Sequence, residues 1–244
     1  MLELNNIHFA HRKGKELFGG FSLTVEPGER VALTAPSGAG KTTFCSIAAG
    51  YAKPKAGSVL VDEKPLPKQG VCPVQMILQH PERVLDPLMR MKDALAEAGL
   101  NASEIGAALA DSPSKTFAKN GMVAAPPADS PYTSTTSNAT PTTNQNSHLL
   151  QELGIRPEWL SRFPHELSGG ELQRFCIARA LAANPRYLIA DEISTMLDAY
   201  TQAQLWHFLL AEAERRNLGM IVVTHSPALL ERIATRVVSL HKPT

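Results

Sequence analysis

An excess of either charge is missing from this 244-residue chain: 24 basic residues face 23 acidic ones, a formal net charge of +1. No long-range field therefore selects nucleic acid or an acidic membrane surface as a partner. Long apolar runs are missing too, because charge, Pro or Gly interrupts each one well before the roughly 18 residues that a membrane helix needs. The opening Met1-Leu2-Glu3-Leu4-Asn5-Asn6 has neither a basic n-region nor an apolar core, so no secretory signal is expected. The chain should stay in the cytosol, and membrane attachment must come through partners. Cysteine is scarce: Cys45, Cys72 and Cys176 lie far apart and form no CxxC or Cys/His ligand pattern. That usage suits a reducing compartment and buried or bystander thiols.

The length is enough for one large domain with a sizeable core. Leu2 to Phe9 alternates weakly, and Phe21-Ser22-Leu23-Thr24-Val25 runs from Gly19-Gly20 to the turn Pro27-Gly28, which predicts an antiparallel β flank. Arg30-Val31-Ala32-Leu33-Thr34 reads as a buried strand feeding a Gly-containing loop, and Thr42 to Gly50 as a helix ended by glycine. Tyr187-Leu188-Ile189-Ala190 and Met220-Ile221-Val222-Val223 are short apolar runs separated by a helical stretch from about Thr201 to Arg216. Together these predict a parallel α/β core. Between the halves, about 101–147, Pro113, Pro126, Pro127 and Pro131 precede a stretch from Thr133 to Asn146 almost without apolar side chains. Such a segment cannot bury enough surface to offset its ordering entropy, and a disordered insertion is expected there.

Ala35-Pro36-Ser37-Gly38-Ala39-Gly40-Lys41-Thr42 fits a Walker A loop, with alanine in place of the first glycine. Strand, loop and helix in this order let backbone N–H groups cradle phosphates. Lys41 would then hold the β- and γ-phosphates, Thr42 would ligate Mg²⁺, and Thr43 would bond an α-phosphate oxygen. A methyl group at position 35 is compatible with the loop at negative φ and strained at positive φ, so nucleotide binding should survive it. Further on, Tyr187-Leu188-Ile189-Ala190-Asp191-Glu192 sets two carboxylates at a strand end, where open α/β sheets place their ligands. Asp191 would hold Mg²⁺ through water, and Glu192 would polarise the attacking water as general base.

Leu167-Ser168-Gly169-Gly170-Glu171-Leu172-Gln173-Arg174, followed by Ala178-Arg179-Ala180-Leu181, resembles the signature motif of the ATP-binding-cassette (ABC) family. Ser168 and the glycine N–H groups open a helix and so form an anion site. The resemblance implies that Ser168, Gly169, Gly170 and Glu171 close over the γ-phosphate bound to the opposite ATPase subunit. It also makes Gln79 the Q-loop glutamine that senses Mg²⁺ and nucleotide near the transmembrane partner. Ser194-Thr195-Met196-Leu197-Asp198 resembles the D-loop, and His225 the switch histidine that contacts the γ-phosphate. Phe9 falls near the place of the aromatic on which the family stacks adenine; a strand aromatic packed in the core would look the same.

The resemblance spans the chain apart from the insertion. It implies one ABC ATPase domain of P-loop α/β fold with an antiparallel β flank. A RecA-like core would comprise about 1–78 and 182–244, with a helical subdomain of about 79–181 holding the signature. Gln79-His80-Pro81, Leu85-Asp86-Pro87, Phe163-Pro164-His165-Glu166 and Gln202-Ala203-Gln204-Leu205 resemble nickel and oligopeptide importer ATPases, although Asp86 stands where those carry asparagine. Ending at Thr244, without the extension of many oligopeptide ATPases, the chain is nearer to nickel or metallophore subunits. The implied assembly is ATP with Mg²⁺, a second ATPase subunit (identical or different), two permease chains and an external binding protein. It would sit on the cytoplasmic face of the membrane and bind no nucleic acid. Two rival readings stay open: a soluble ABC ATPase acting on DNA or ribosomes, and a regulatory module that binds nucleotide with little turnover. The signature motif and the lack of an NKxD sequence weigh against a GTPase or small-molecule kinase.

Overall fold

A computed structural model describes residues 1–10, 16–100, 105–106, 146–195 and 197–240. The expected insertion thus lies almost wholly outside the described residues, as does Met196 of the D-loop-like stretch. The strands are β1 (Leu2–Ala10), β2 (Glu16–Val25), β3 (Arg30–Thr34), β4 (Ala56–Val61), β5 (Lys64–Pro65), β6 (Val74–Ile77), β7 (Tyr187–Asp191), β8 (Gly219–Val223) and β9 (Arg236–Ser239). The α-helices are α1 (Lys41–Ala48), α2 (Met91–Glu97), α3 (Ser147–Glu152), α4 (Gly169–Ala182), α5 (Ala199–Arg216) and α6 (Pro227–Ile233).

Two sheets result. The antiparallel one runs β2-β1-β4-β5, the flank that the N-terminal pattern predicts. Its weak alternation has a local cause: the β1–β2 register shifts between Leu4 and Ile7, where Asn6 takes a φ of 51° and its amide donates to Ser22 Oγ. Leu2, Leu4 and Ile7 all stay buried because the bulge resets the alternation. Opposite it, Gly57 is obligatory, since a Cβ there would lie 2.4 Å from Asn6 O.

The second sheet has the order β6-β7-β8-β3-β9 with every pair parallel. β7 and β8 are buried at every position, which is why they read as unbroken apolar runs. Their side chains part to two faces with the strand period of two. Leu188, Ala190, Met220 and Val222 join a core built with α2, α3, α4 and α5. Tyr187, Ile189, Ile221 and Val223 join a core closed by β1, β2 and α1. The parallel arrangement brings four strand ends, those of β3, β6, β7 and β8, to one edge, and the loops leaving that edge carry the chemistry-bearing residues.

Candidate functional site

The loop between β3 and α1 is shaped by its two glycines. Gly38 has φ 73° and Gly40, the N-cap of α1, has φ 99°; a Cβ on Gly40 would sit 2.5 Å from Leu17 Cδ2. Ala39 N donates to Pro36 O at 3.2 Å and Phe44 N to Gly40 O at 2.8 Å, so the turn passes directly into the helix. Ala35 is not among the positive-φ residues, and its methyl imposes no backbone strain. Lys41 is buried, with Nζ donating to Ala35 O (2.8 Å) and Pro36 O (3.4 Å), so its ammonium lies over the loop's own carbonyls. A buried cation held by two neutral carbonyls is a ready partner for an anion arriving at that loop.

At the end of β7, Asp191 is 2% exposed and its Oδ1 is buried with no hydrogen-bond partner. Burial pushes its pKa above the usual carboxylate range; the Thr42 hydroxyl bond lowers it, Glu192 raises it, and Lys41 and His225 lower it. An orphaned carboxylate oxygen is costly to keep and calls for a cation. Beside the Thr42 hydroxyl it forms a hard-oxygen pair of the kind that suits Mg²⁺. Among the described residues no group of three or more His, Cys, Asp or Glu could cage an ion alone. An ion here would take its other ligands from water and phosphate, as Mg²⁺ usually does.

Glu192 follows with φ 52°, uncommon for a non-glycine residue, its N donating to Val223 O at 2.9 Å. Its Oε1 lies 2.9 Å from His225 Nε2, which leaves the β8 end on the next strand over. Thr195 Oγ1 donates to Glu192 O (3.0 Å) and accepts from Gln79 Nε2 (3.4 Å), tying the β6 exit to the β7 exit. The sequence places Thr195 in the D-loop-like stretch but does not foretell this bridge, since nothing local marks a hydroxyl that reaches a residue 116 positions away.

The other expected residues stand apart from this cluster. Ser168 caps α4 by a capping box: its Oγ accepts from Glu171 N (3.3 Å) while Glu171 Oε2 accepts from Ser168 N (2.7 Å). Asp198 caps α5, its Oδ1 accepting from Tyr200 N and Thr201 N and its Oδ2 from the Thr201 hydroxyl. The Thr201 amide and hydroxyl hold its carboxyl below the usual range. Among the described residues no hydrogen bond or ion pair joins Ser168, Gly169, Gly170, Glu171 or Asp198 to Lys41, Asp191, Glu192 or His225. Phe9 is half-buried and stacks on Phe18 with ring centroids 6.1 Å apart.

The family model for ABC transporters matches residues 18–195, well over half of the chain. This chain belongs to the ABC transporter family. The nickel import system ATP-binding protein NikE of Staphylococcus aureus is 29% identical over 244 residues, covering 98% of this chain and 86% of that protein. Among solved structures, the ATP-binding subunit of an ABC transporter aligns with a TM-score of 0.72 at 23% identity, over 99% of this chain and 86% of the other. A dimeric ATP-binding cassette in a post-hydrolysis state with ADP and Pi aligns at 0.69 and 22% identity, over 98% and 94%. The fold is therefore that of ABC ATPases, and the chain is an ATP-hydrolysing subunit of that family. Among the described residues no helix is long and apolar enough to cross a membrane.

Proposed function

We propose that this ABC ATPase powers an importer for nickel, a metal chelate or peptides. In this reading it pairs with a second ATPase subunit beneath two permease chains served by an external binding protein. The observation that carries the catalytic part is the Glu192–His225 contact beside the partnerless Asp191 oxygen at a single strand edge. The NikE relative, aligned over nearly the whole chain, supports the import part.

In this mechanism the loop 35–40 and Lys41 bind the phosphates, and Lys41 Nζ leaves the Ala35 and Pro36 carbonyls to do so. Thr42 and Asp191 would hold Mg²⁺, which when bound neutralises charge on the phosphates. Glu192 accepts a proton from the attacking water at its carboxylate, and His225 Nε2 orients that carboxylate and faces the γ-phosphate. Gln79, through Thr195, reports the state of the site towards the permease side. Gly169 and Gly170, opening α4, offer helix N-terminal amides to the nucleotide of the facing subunit. Phe9 stacks on adenine, and Asp198 faces the partner cassette once α5 is capped.

The test is Mg²⁺-dependent ATP hydrolysis by the purified chain and by Glu192→Gln, with dimerisation followed by light scattering. A general base contributes about 10²–10⁴-fold, so turnover should fall by that factor while ATP-bound dimers accumulate. Native chain that binds nucleotide without turning it over would point instead to a regulatory subunit.

A further inference from the structure

Away from the phosphate loop, a cleft of about 520 Å³ lies between the end of α3, the turn that follows it, α4 and one side of α5. Its floor is apolar, with Leu153, Trp159, Leu205 and Phe208, and two guanidinium groups stand at it, those of Arg156 and Arg174. Arg156 lies 5.3 Å over the Trp159 ring centroid, and its nearest carboxylate, Glu158, is 4.0 Å away at the surface. Arg174 is half-buried and donates to Leu153 O, and among the described residues no carboxylate is in ion-pair range of it. Burial pulls its pKa down and Arg156 adds to that effect, while the more distant carboxylates of Asp198 and Glu171 offset part of it. Two like charges near each other at an apolar, aromatic-walled cleft of ligand size form an arrangement that an anion would relieve. One carboxylate, Glu152 at the end of α3, also lines the cleft, and its charge reaches Arg215 on α5 as well. Tyr200 stands exposed at the rim and adds a second aromatic face.

We propose that this cleft is a regulatory site for a small aromatic anion, whose ring would lie on the Trp159 and Phe208 wall and whose carboxylate or sulfonate would meet Arg156 and Arg174. The cleft joins two helices that start at expected site residues. Arg174 belongs to α4, which begins at the signature glycines, while Leu205 and Phe208 belong to α5, which begins at Asp198. An occupant bridging them fixes the angle between the signature helix and the D-loop helix, and so changes turnover without touching Lys41, Asp191 or Glu192. The regulatory half of this proposal rests on the hydrolysis reading above, whereas the binding half does not.

The experiment uses the intact chain and the probe 8-anilinonaphthalene-1-sulfonate, with N-phenyl-1-naphthylamine as its uncharged counterpart. Saturable one-to-one binding of the sulfonate, with quenching of tryptophan fluorescence, is expected, together with at least about tenfold weaker binding of the neutral amine. Arg156→Glu, at a solvent-exposed side chain, should weaken sulfonate binding by at least about tenfold. Ala211→Phe, on the exposed side of α5 at the cleft, should block it while leaving the thermal melting curve in place. Saturating sulfonate should change kcat for ATP in the native chain but not in Ala211→Phe. Equal affinity for the two probes, or sulfonate binding unaltered in both variants, overturns the site; binding without any change in kcat overturns its regulatory role. A chain that binds the sulfonate as described but hydrolyses no ATP would fail the proposed function and leave the site standing.

Discussion

Asp191→Asn should make the nucleotide-free protein more stable while removing its Mg²⁺-dependent activity. Burial raises the Asp191 pKa, so the folded chain holds this proton more tightly than the unfolded chain does. The ionised form therefore costs stability at neutral pH, and the cost fades as pH falls through the raised value. Desolvation is the largest contribution and Glu192 repulsion adds to it, while the Thr42 bond and the charges of Lys41 and His225 offset part. Asparagine keeps an acceptor for Thr42 and replaces the partnerless, charged Oδ1 by a neutral group in the same space. The asparagine amide is still a partnerless buried polar group, so only the extra cost of the charge is removed, and with the lost attraction to Lys41 set against it the net gain is about 1 kcal/mol. At roughly 2–4 °C per kcal/mol for a chain of this size, the midpoint should rise by about 2–4 °C. Scanning calorimetry without nucleotide, at neutral pH and again near pH 4, measures this; the gap between variant and native should shrink at the acid end. Adding ATP with Mg²⁺ should raise the native midpoint more than the variant's, which keeps the phosphate loop but not the charged Mg²⁺ partner. A variant that melts lower than native without nucleotide would refute the claim that Asp191 is held in an unfavourable ionised state.

Two further substitutions separate the site from its scaffold. Ala35→Gly should leave nucleotide affinity unchanged in a fluorescent-nucleotide titration, because residue 35 has no positive φ to relieve, and should cost about 0.4–1 kcal/mol through unfolded-state entropy; tighter binding in the variant would show that the methyl is costly after all. Glu212→Gln should cost about 3–5 kcal/mol in urea unfolding, because the nearly buried Arg216 donates Nε to Glu212 at 2.6 Å and would be left without its carboxylate; an unshifted midpoint would refute the pairing.

Much of the core was legible because its strands are short, apolar and buried on both faces: Arg30–Thr34, Tyr187–Asp191 and Gly219–Val223 fall where their sequence runs place them. β4 and β9 were not, since Ala56–Val61 and Arg236–Ser239 are partly exposed, mixed in polarity and defined by partners far away in sequence. The same limit applies at the site. Lys41, Thr42, Asp191 and Glu192 announce themselves through local motifs, because a phosphate loop and a strand-end acid pair need their neighbours in sequence. The Glu192–His225 contact, the Thr195 bridge to Gln79 and the vacant hydrogen-bonding side of Asp191 depend on which strand lies beside which, and only the order β6-β7-β8-β3 supplies that.

The distribution of strain divides the expected site residues into two kinds. At the C-terminal edge of the parallel sheet the chain keeps a buried ammonium on carbonyls, a carboxylate oxygen without a donor and a glutamate at φ 52°, an arrangement that costs free energy at the last two. Ser168, Glu171 and Asp198, by contrast, already satisfy the first turns of α4 and α5 and carry no such strain. In the proposed function the first group meets the ligand delivered to this subunit. The second group fixes two helix starts, and in the proposed function its contribution to a nucleotide is therefore made by backbone and position, through the Gly169 and Gly170 amides that open α4, against a facing subunit.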